Sequence, residues 1–147
     1  MMSNRAKSSI LVLIQFAAAF GIVAWYLIRP FDQTTLLVLG IAFIISVPSV
    51  VVMTLNHLKV RPEPANDAVL VTNGLYKFIR HPIYFSVLSS MLILTVYSST
   101  VIAYVFWFVL LIDLIVKMKF EESLLLQKFP EYAEYMKRTK RLVPFIW

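Results

Sequence analysis

The chain lacks cysteine and has few charged residues, and these two shortages exclude several classes of protein. With no Cys among its 147 residues, it cannot carry cysteine-ligated zinc, an iron–sulfur cluster, disulfides or a cysteine nucleophile. Charged residues make up 15% of the chain and hydrophobic residues 60%, against about 25% and about 45–50% in soluble domains. A mean hydropathy of +0.79 argues against disorder and favours a single domain embedded in a membrane.

Four apolar stretches predict four transmembrane helices. They cover residues 9–28, 34–55, 82–97 and 100–116. The first two are long enough, at about 1.5 Å per residue, to cross a hydrocarbon core about 30 Å thick. Only Ser98 and Ser99 separate the last two, which predicts a tight helical hairpin. The first stretch could also be a signal peptide, but its apolar run continues to Ile28, which favours an uncleaved helix. The expected fold is an all-α, polytopic membrane protein.

The distribution of basic residues predicts how the chain is oriented. If each predicted span crosses the membrane, 13 of the 14 Lys and Arg residues fall on one side, and Arg29 is the exception. Because basic residues favour the cytoplasmic side, both termini are expected there, in a cell inner membrane or its equivalent. The net charge of +6 is therefore interpreted as a signal of topology and of anionic lipid, not of nucleic-acid binding.

The C-terminal residues 120–147 predict an amphipathic helix lying at the cytoplasmic interface. Apolar residues recur at helical spacing with charged residues between them, and Pro144 is expected to end the helix. The recurring apolar residues are Leu125, Phe129, Tyr132, Ala133 and Met136.

Polar residues are scarce, yet they form two clusters that flank the predicted hairpin. One cluster covers residues 73–84, at the entry to the hairpin. The other begins with Glu121-Glu122 at its exit and continues through residues 129–132 and 141–144. Closing the hairpin is expected to bring cations, an imidazole, phenols and carboxylates together at the cytoplasmic interface.

These motifs resemble those of the isoprenylcysteine carboxyl methyltransferase family and the broader phospholipid methyltransferase group. The pattern is Gly-x-Tyr-x-x-x-Arg-His-Pro-x-Tyr over residues 74–84, then the hairpin, Glu-Glu-x-x-Leu and a Tyr-x-x-Tyr tail. The resemblance covers about residues 69–145 and implies an integral-membrane enzyme that uses S-adenosylmethionine and needs no metal. It implies a cofactor pocket formed by Tyr76, Arg80, His81, Tyr84, Glu121 and Glu122. Arg80 and Glu122 are assigned as the catalytic residues.

The residue types agree with that chemistry. A guanidinium such as Arg80 can bind the cofactor's carboxylate through two parallel hydrogen bonds, and a Glu can bind its ammonium group. The rings of Tyr76 and Tyr84 can face the adenine or the sulfonium. The expected acceptor is a lipophilic or lipid-linked molecule whose methylated group is a carboxylate, an amine or a thiol. The oligomeric state is left open.

Helix geometry suggests different roles for the two adjacent glutamates, which lie about 100° apart around a helix. Asp113, Lys117 and Glu121 follow a spacing of four residues, which predicts a structural ion-pair stripe. If one helix continues through residue 122, Glu122 is expected to face the cofactor and Glu121 to support the stripe.

Two other functions fit part of the pattern. The membrane steroid-reductase group has a similar Arg-His-Pro-x-Tyr hairpin and uses NADPH, although the tandem Glu pair favours methyl transfer. A small non-catalytic scaffold is the second alternative, with Arg80 and Lys77 serving only as interface anchors.

We expect four membrane crossings with both termini in the cytoplasm. Because the native chain has no Cys, single cysteines can be placed at Ser3, Asp67 and Ser99 and probed with a membrane-impermeant thiol reagent. Ser99→Cys should react in intact cells, whereas Ser3→Cys and Asp67→Cys should react only after permeabilisation. Labelling of the Asp67 position from outside would contradict the topology.

Overall fold

The computed structural model describes residues 3–28, 32–55 and 70–143, and these parts contain helices and no strand. The helices are α1 (Asn4–Leu27), α2 (Gln33–Leu55), α3 (Pro82–Ser98), α4 (Val101–Lys128) and α5 (Tyr132–Arg138), and a short 3-10 helix (Gly74–Lys77) precedes α3. The predicted all-α fold is confirmed. Of the residues used in the topology and tail predictions, Arg29, Lys59, Arg61, Asp67 and Pro144 lie outside the described residues.

Four apolar helices occur where the sequence predicts them, and two of them meet the length and composition of a membrane span. These two are α1 and α4, whereas α3 and the segment Gln33–Val47 of α2 are shorter apolar helices. The number of crossings therefore stays a prediction. Several large apolar side chains on the outside of the bundle are more than two-thirds exposed, as expected for a surface that faces lipid. They include Leu13, Phe20, Phe43, Ile44 and Val101.

The predicted tight hairpin between α3 and α4 is confirmed. Ser99 adopts a left-handed conformation with φ 49° after the end of α3, and the Thr100 hydroxyl accepts a hydrogen bond from the Ala103 amide at 3.4 Å to begin α4. Helix α3 has 17 residues, and α4 runs back along it, so α4 reaches the level of the start of α3 near Met118. Residues 121 and 122 lie about one turn further along α4, level with the residues just before Pro82.

Helix α3 packs against α1, α2 and α4, and α1 packs along α4. Fully buried apolar side chains hold α1 and α4 together, among them Ile22, Tyr26, Leu110, Leu114 and Met118. The same contact brings Gln15 of α1 to Lys117 of α4, 2.5 Å apart between Oε1 and Nζ. The bundle therefore encloses polar side chains near the end where the polar clusters meet.

The structure corrects the predicted boundaries after the fourth span. Helix α4 does not end near Val116 but continues to Lys128, so Glu121 and Glu122 lie on one continuous helix, as expected. The predicted single tail helix is divided, because Phe129 is extended (φ −121°, ψ 105°) before Pro130. A proline disfavours helical backbone in the preceding residue, and its ring nitrogen cannot donate the next helical hydrogen bond. Only Tyr132–Arg138 forms a separate helix.

Two helical glycines provide a matched test of the α1–α4 packing. A Cβ added at Gly21 would lie 2.8 Å from Cζ of Phe106, whereas one added at Gly40 meets nothing within 4 Å. Gly21→Ala should lower the free energy of unfolding by about 1–3 kcal/mol through overpacking. Gly40→Ala should raise it by up to about 1 kcal/mol, because alanine loses less backbone entropy in a helix. Apparent melting temperatures of both variants in detergent measure the difference, and equal values would contradict this packing.

Candidate active site

The entry to α3 is shaped by a turn and a proline. The chain turns at Gly74, which has a φ of 58°, a value that glycine adopts without strain. The 3-10 helix follows, and Pro82 begins α3 at its first turn, where its missing amide hydrogen costs no helical bond. Arg80 and His81 therefore lie in the short segment between the 3-10 helix and α3.

The segment after α5 lies alongside this entry and closes over it. The amide of Arg80 donates to the carbonyl of Lys140 at 2.8 Å, and the amide of His81 donates to that of Arg141 at 3.1 Å. In return, the Lys140 amide donates to the Phe78 carbonyl at 3.1 Å. Residues 139–141 thus fix the backbone of Arg80 and His81, although some 60 residues separate the two segments along the chain.

A buried ion cluster is centred on Glu122, whose side chain is only 5% exposed. It accepts hydrogen bonds from Arg80 Nε at 2.9 Å and from Arg141 Nη2 at 2.6 Å, and its Oε1 lies 3.3 Å from His81 Nε2. Glu122 is therefore the glutamate that contacts Arg80. Two guanidinium groups thus meet at one carboxylate.

Arg80 also joins the cluster to the C-terminal segment. Its Nη1 donates to the carbonyls of Thr139 at 2.5 Å and Met136 at 3.2 Å, and its side chain is 8% exposed. One guanidinium thus links the entry to α3, the end of α4 and the end of α5. Such charge-assisted hydrogen bonds are among the strongest available to a protein.

Glu121 has a different environment from its neighbour. Its side chain is 27% exposed, and it accepts a hydrogen bond from the Tyr84 hydroxyl at 2.8 Å. His81 Nδ1 lies 3.8 Å from Glu121, and the His81 ring stacks on Tyr84 with centroids 5.3 Å apart. His81 therefore lies between the two carboxylates, and Glu121 is the more accessible of them.

Phenols surround the cluster and remain neutral at physiological pH. Burial, and to a smaller extent the negative charge of Glu121, raises the pKa of Tyr76 well above its usual value. Burial also raises the pKa of Tyr135 to about 12 and that of Tyr132 well above its usual range. The Tyr135 hydroxyl donates to the Tyr76 carbonyl at 2.7 Å, so α5 is held against the 3-10 helix.

The structure brings the predicted site residues together. Arg80, His81, Tyr84, Glu121 and Glu122 form one network of direct contacts. Tyr76 adjoins the network, because it is bonded to Tyr135 and its phenol is influenced by the charge of Glu121. Whether each residue contacts a cofactor stays a prediction.

Sequence reasoning missed Arg141 and Thr139 as site residues. Arg141 belongs to the second polar cluster, but it served there only as one of the basic residues that indicate topology. Its position three residues before Pro144, after the Tyr-x-x-Tyr tail, was the available signal. The sequence does not show that it reaches Glu122, because that contact depends on how the C-terminal segment folds back.

The predicted ion-pair stripe of Asp113, Lys117 and Glu121 is wrong. Lys117 donates to Gln15 of α1, Glu121 accepts from Tyr84 of α3, and the carboxylate oxygens of Asp113 accept no hydrogen bond from the described residues. The four-residue spacing does place these side chains on one helix face. Neighbouring helices, however, offer partners that compete with the pairing along α4.

The apolar helical bundle and the charged cluster at the ends of its hairpin define a helical membrane protein with a polar site at one end of the bundle. The family model described as isoprenylcysteine carboxyl methyltransferase (ICMT) family matches residues 33–127, which is 95 of the 147 residues. The chain belongs to this family of membrane-bound methyltransferases. No match was found among curated proteins or among solved structures. The match begins in α2, contains Arg80 and both glutamates, and ends before α5 and Arg141.

The buried cluster predicts a large stability effect for Glu122. Glu122→Gln keeps the shape but removes the carboxylate that Arg80 and Arg141 share, and should lower the free energy of unfolding by about 3–5 kcal/mol. Glu134→Gln is the matched control, because its exposed ion pair with Lys137 should contribute less than about 1 kcal/mol. Melting temperatures of both variants test this, and equal small shifts would show that the cluster does not stabilise the fold.

Proposed function

We propose that the chain is an S-adenosylmethionine-dependent methyltransferase acting on a lipophilic acceptor at the cytoplasmic face of the membrane. Family membership supports methyl transfer and a membrane location. The cofactor, the type of acceptor and the cytoplasmic orientation are the parts that we add. The arrangement of charged side chains around Glu122 and Glu121 supports these additions.

The carrying observation is a pair of guanidinium groups close to an accessible carboxylate. Arg80 and Arg141 meet at Glu122, while Glu121 lies on the other side of His81. The cofactor has a matching arrangement, because its amino-acid end carries a carboxylate beside an ammonium group and a sulfonium. The carboxylate would bind at the arginines, and the cationic groups would face Glu121.

The contacts favour a division of roles between the glutamates that is the reverse of the expectation from helix geometry. Glu122 is buried and already engaged by Arg80, Arg141 and His81, so we assign to it the positioning of the two arginines. Glu121 accepts one hydrogen bond, from Tyr84, and is partly exposed. We therefore assign the contact with the cofactor's positive charge to Glu121.

The chain's own residues would act through positioning and electrostatics. When bound, S-adenosylmethionine supplies both the methyl group and its leaving group, so the reaction needs no protein nucleophile. Arg80 and Arg141 would fix one end of the site, and the rings of Tyr76 and Tyr84 would orient the other. Glu121 would contribute to binding more than to the chemical step, because the positive charge it faces fades as the methyl group leaves.

Binding measurements on the full chain in detergent test the proposal. S-adenosylmethionine should bind and NADPH should not. Glu121→Gln should weaken S-adenosylmethionine affinity about ten- to hundred-fold, which corresponds to losing a charge-assisted contact of about 1.5–3 kcal/mol. The melting temperature should change little, since Glu121 is partly exposed. Glu131→Gln, a change at the exposed residue before α5, should leave affinity unchanged.

The same titrations identify the competing functions. Binding of NADPH without S-adenosylmethionine would favour a reductase of the steroid-reductase type, and binding of neither would favour a non-catalytic scaffold. If Glu121→Gln binds S-adenosylmethionine as the parent does while a folded Glu122→Gln protein does not, the roles of the two glutamates are those expected from helix geometry.

A further inference from the structure

The 3-10 helix before α3 presents two large apolar side chains on its outer side. Leu75 is 43% exposed and Phe78 is 59% exposed. The Phe78 amide donates to the Leu75 carbonyl at 3.1 Å, and residues three apart in a 3-10 helix lie on the same face. Ile79, directly after Phe78, is buried. Leu75 and Phe78 therefore form an apolar surface that the contacts of the ion cluster do not use.

Exposed basic residues lie beside this apolar surface. Lys77 belongs to the same 3-10 helix, and Lys140 is held next to Phe78, whose carbonyl accepts from the Lys140 amide at 3.1 Å. Arg138 precedes Lys140 by two residues, and all three basic residues are exposed. Among the residues that the structure describes, no carboxylate forms an ion pair with any of the three. Their charges are therefore available to an anionic partner.

The length of α3 brings this surface to the level of the lipid headgroups. Its 17 residues extend about 26 Å, less than a hydrocarbon core about 30 Å thick. With α3 crossing the membrane as predicted, the residues before Pro82 are drawn toward a headgroup layer about 5–7 Å thick. Phe78 precedes Pro82 by four residues, so it lies within about 14 Å of it. Exposed apolar side chains continue into α3 with Phe85 and Leu92.

Helix α5, which the sequence indicates as the interfacial element, turns its apolar side to the protein. Tyr132 is 2% exposed and Tyr135 is 6% exposed, and their rings contact each other with centroids 5.6 Å apart. Apart from Ala133, the exposed residues of α5 are charged. Between the 3-10 helix and α5, the apolar contact with lipid therefore falls to the 3-10 helix.

We propose that Leu75 and Phe78 insert into the headgroup layer and that Lys77, Arg138 and Lys140 bind the phosphates of anionic lipids. Apolar burial and attraction to anionic headgroups act together at surfaces of this kind. The cytoplasmic leaflet carries the anionic lipids, and the distribution of basic residues predicts this part of the chain on that side. The partner is the membrane surface, and the inference does not depend on the proposed cofactor or reaction.

This lipid-docking surface is built on the two segments that hold the ion cluster. The backbone of Lys140 bonds to that of Phe78 and to that of Arg80, and Arg80 contacts Glu122. Anionic headgroups bound by Lys140 and Lys77 would therefore link the C-terminal segment to the entry to α3. Anionic lipid is expected to stabilise the arrangement in which these segments enclose Glu122.

Fluorescence quenching of the full chain in phosphatidylcholine nanodiscs tests the proposal. Because the native chain has no Cys, a bimane label can be attached at Leu75→Cys, or at Ala133→Cys on the charged side of α5. A minor fraction of the lipid, either phosphatidylglycerol or phosphatidylcholine, carries a nitroxide near its headgroup. The label at residue 75 should be quenched about five-fold more efficiently by the anionic lipid, the ratio expected from one lysine near an anionic surface. The label at residue 133 should be quenched little by either lipid.

Charge variants separate headgroup binding from insertion alone. Lys77→Gln combined with Lys140→Gln should bring quenching by the two lipids close to equality. Lys137→Gln should keep the preference, since that side chain pairs with Glu134 at 3.0 Å. Raising the salt concentration should weaken the preference without any change at these lysines.

Several results would overturn the proposal. They are no quenching at residue 75, equal quenching by the two lipids, and an unchanged preference in the double variant or at high salt. Loss of the preference on adding inorganic phosphate at constant ionic strength would assign the cations to a free anion. A label signal that depends on protein concentration and not on the lipid would assign the surface to a second copy of the chain.

Discussion

The carboxylate of Glu122, buried between two guanidinium groups, is the interaction on which the rest of the site depends. Its partners come from the entry to α3 and from the segment after α5, so one side chain of α4 holds both. A charge at this depth is stable only when it is paired and fully hydrogen-bonded. The backbone bonds between residues 78–81 and 140–141 provide the rigid frame in which that pairing is possible.

This arrangement explains how two adjacent glutamates can differ in function. Glu122 points into the cluster and is enclosed by it, while Glu121, rotated by about 100°, reaches Tyr84 and remains partly accessible. Further along α4, Lys117 and Asp113 extend the polar character of the site into the apolar part of the bundle. Helix α4 thus carries a series of polar and charged side chains that runs from the ion cluster into the apolar part of the bundle.

Much of the fold could be predicted because it depends on local patterns. Apolar runs marked the four long helices, and two serines between two of them marked the hairpin, whose closure brings the two polar clusters together. The division of the tail at Phe129 was accessible too, since Pro130 disfavours a continuous helix there. The ion-pair stripe could not be predicted reliably from local patterns. Four-residue spacing allows side chains of one helix to pair, but it does not exclude partners on other helices, such as Gln15 and Tyr84.

The sequence by itself determined the helical class, the family and the identity of most site residues, because these follow from hydropathy and from motifs that are contiguous in the chain. Only the tertiary structure decided which glutamate is enclosed, that Arg141 joins Arg80 on Glu122, and that none of the residues it describes donates to Asp113. Each of these depends on contacts between segments far apart in the chain. The role of a buried charged side chain depends on all the groups that contact it, and the amino-acid sequence does not show directly which groups those are.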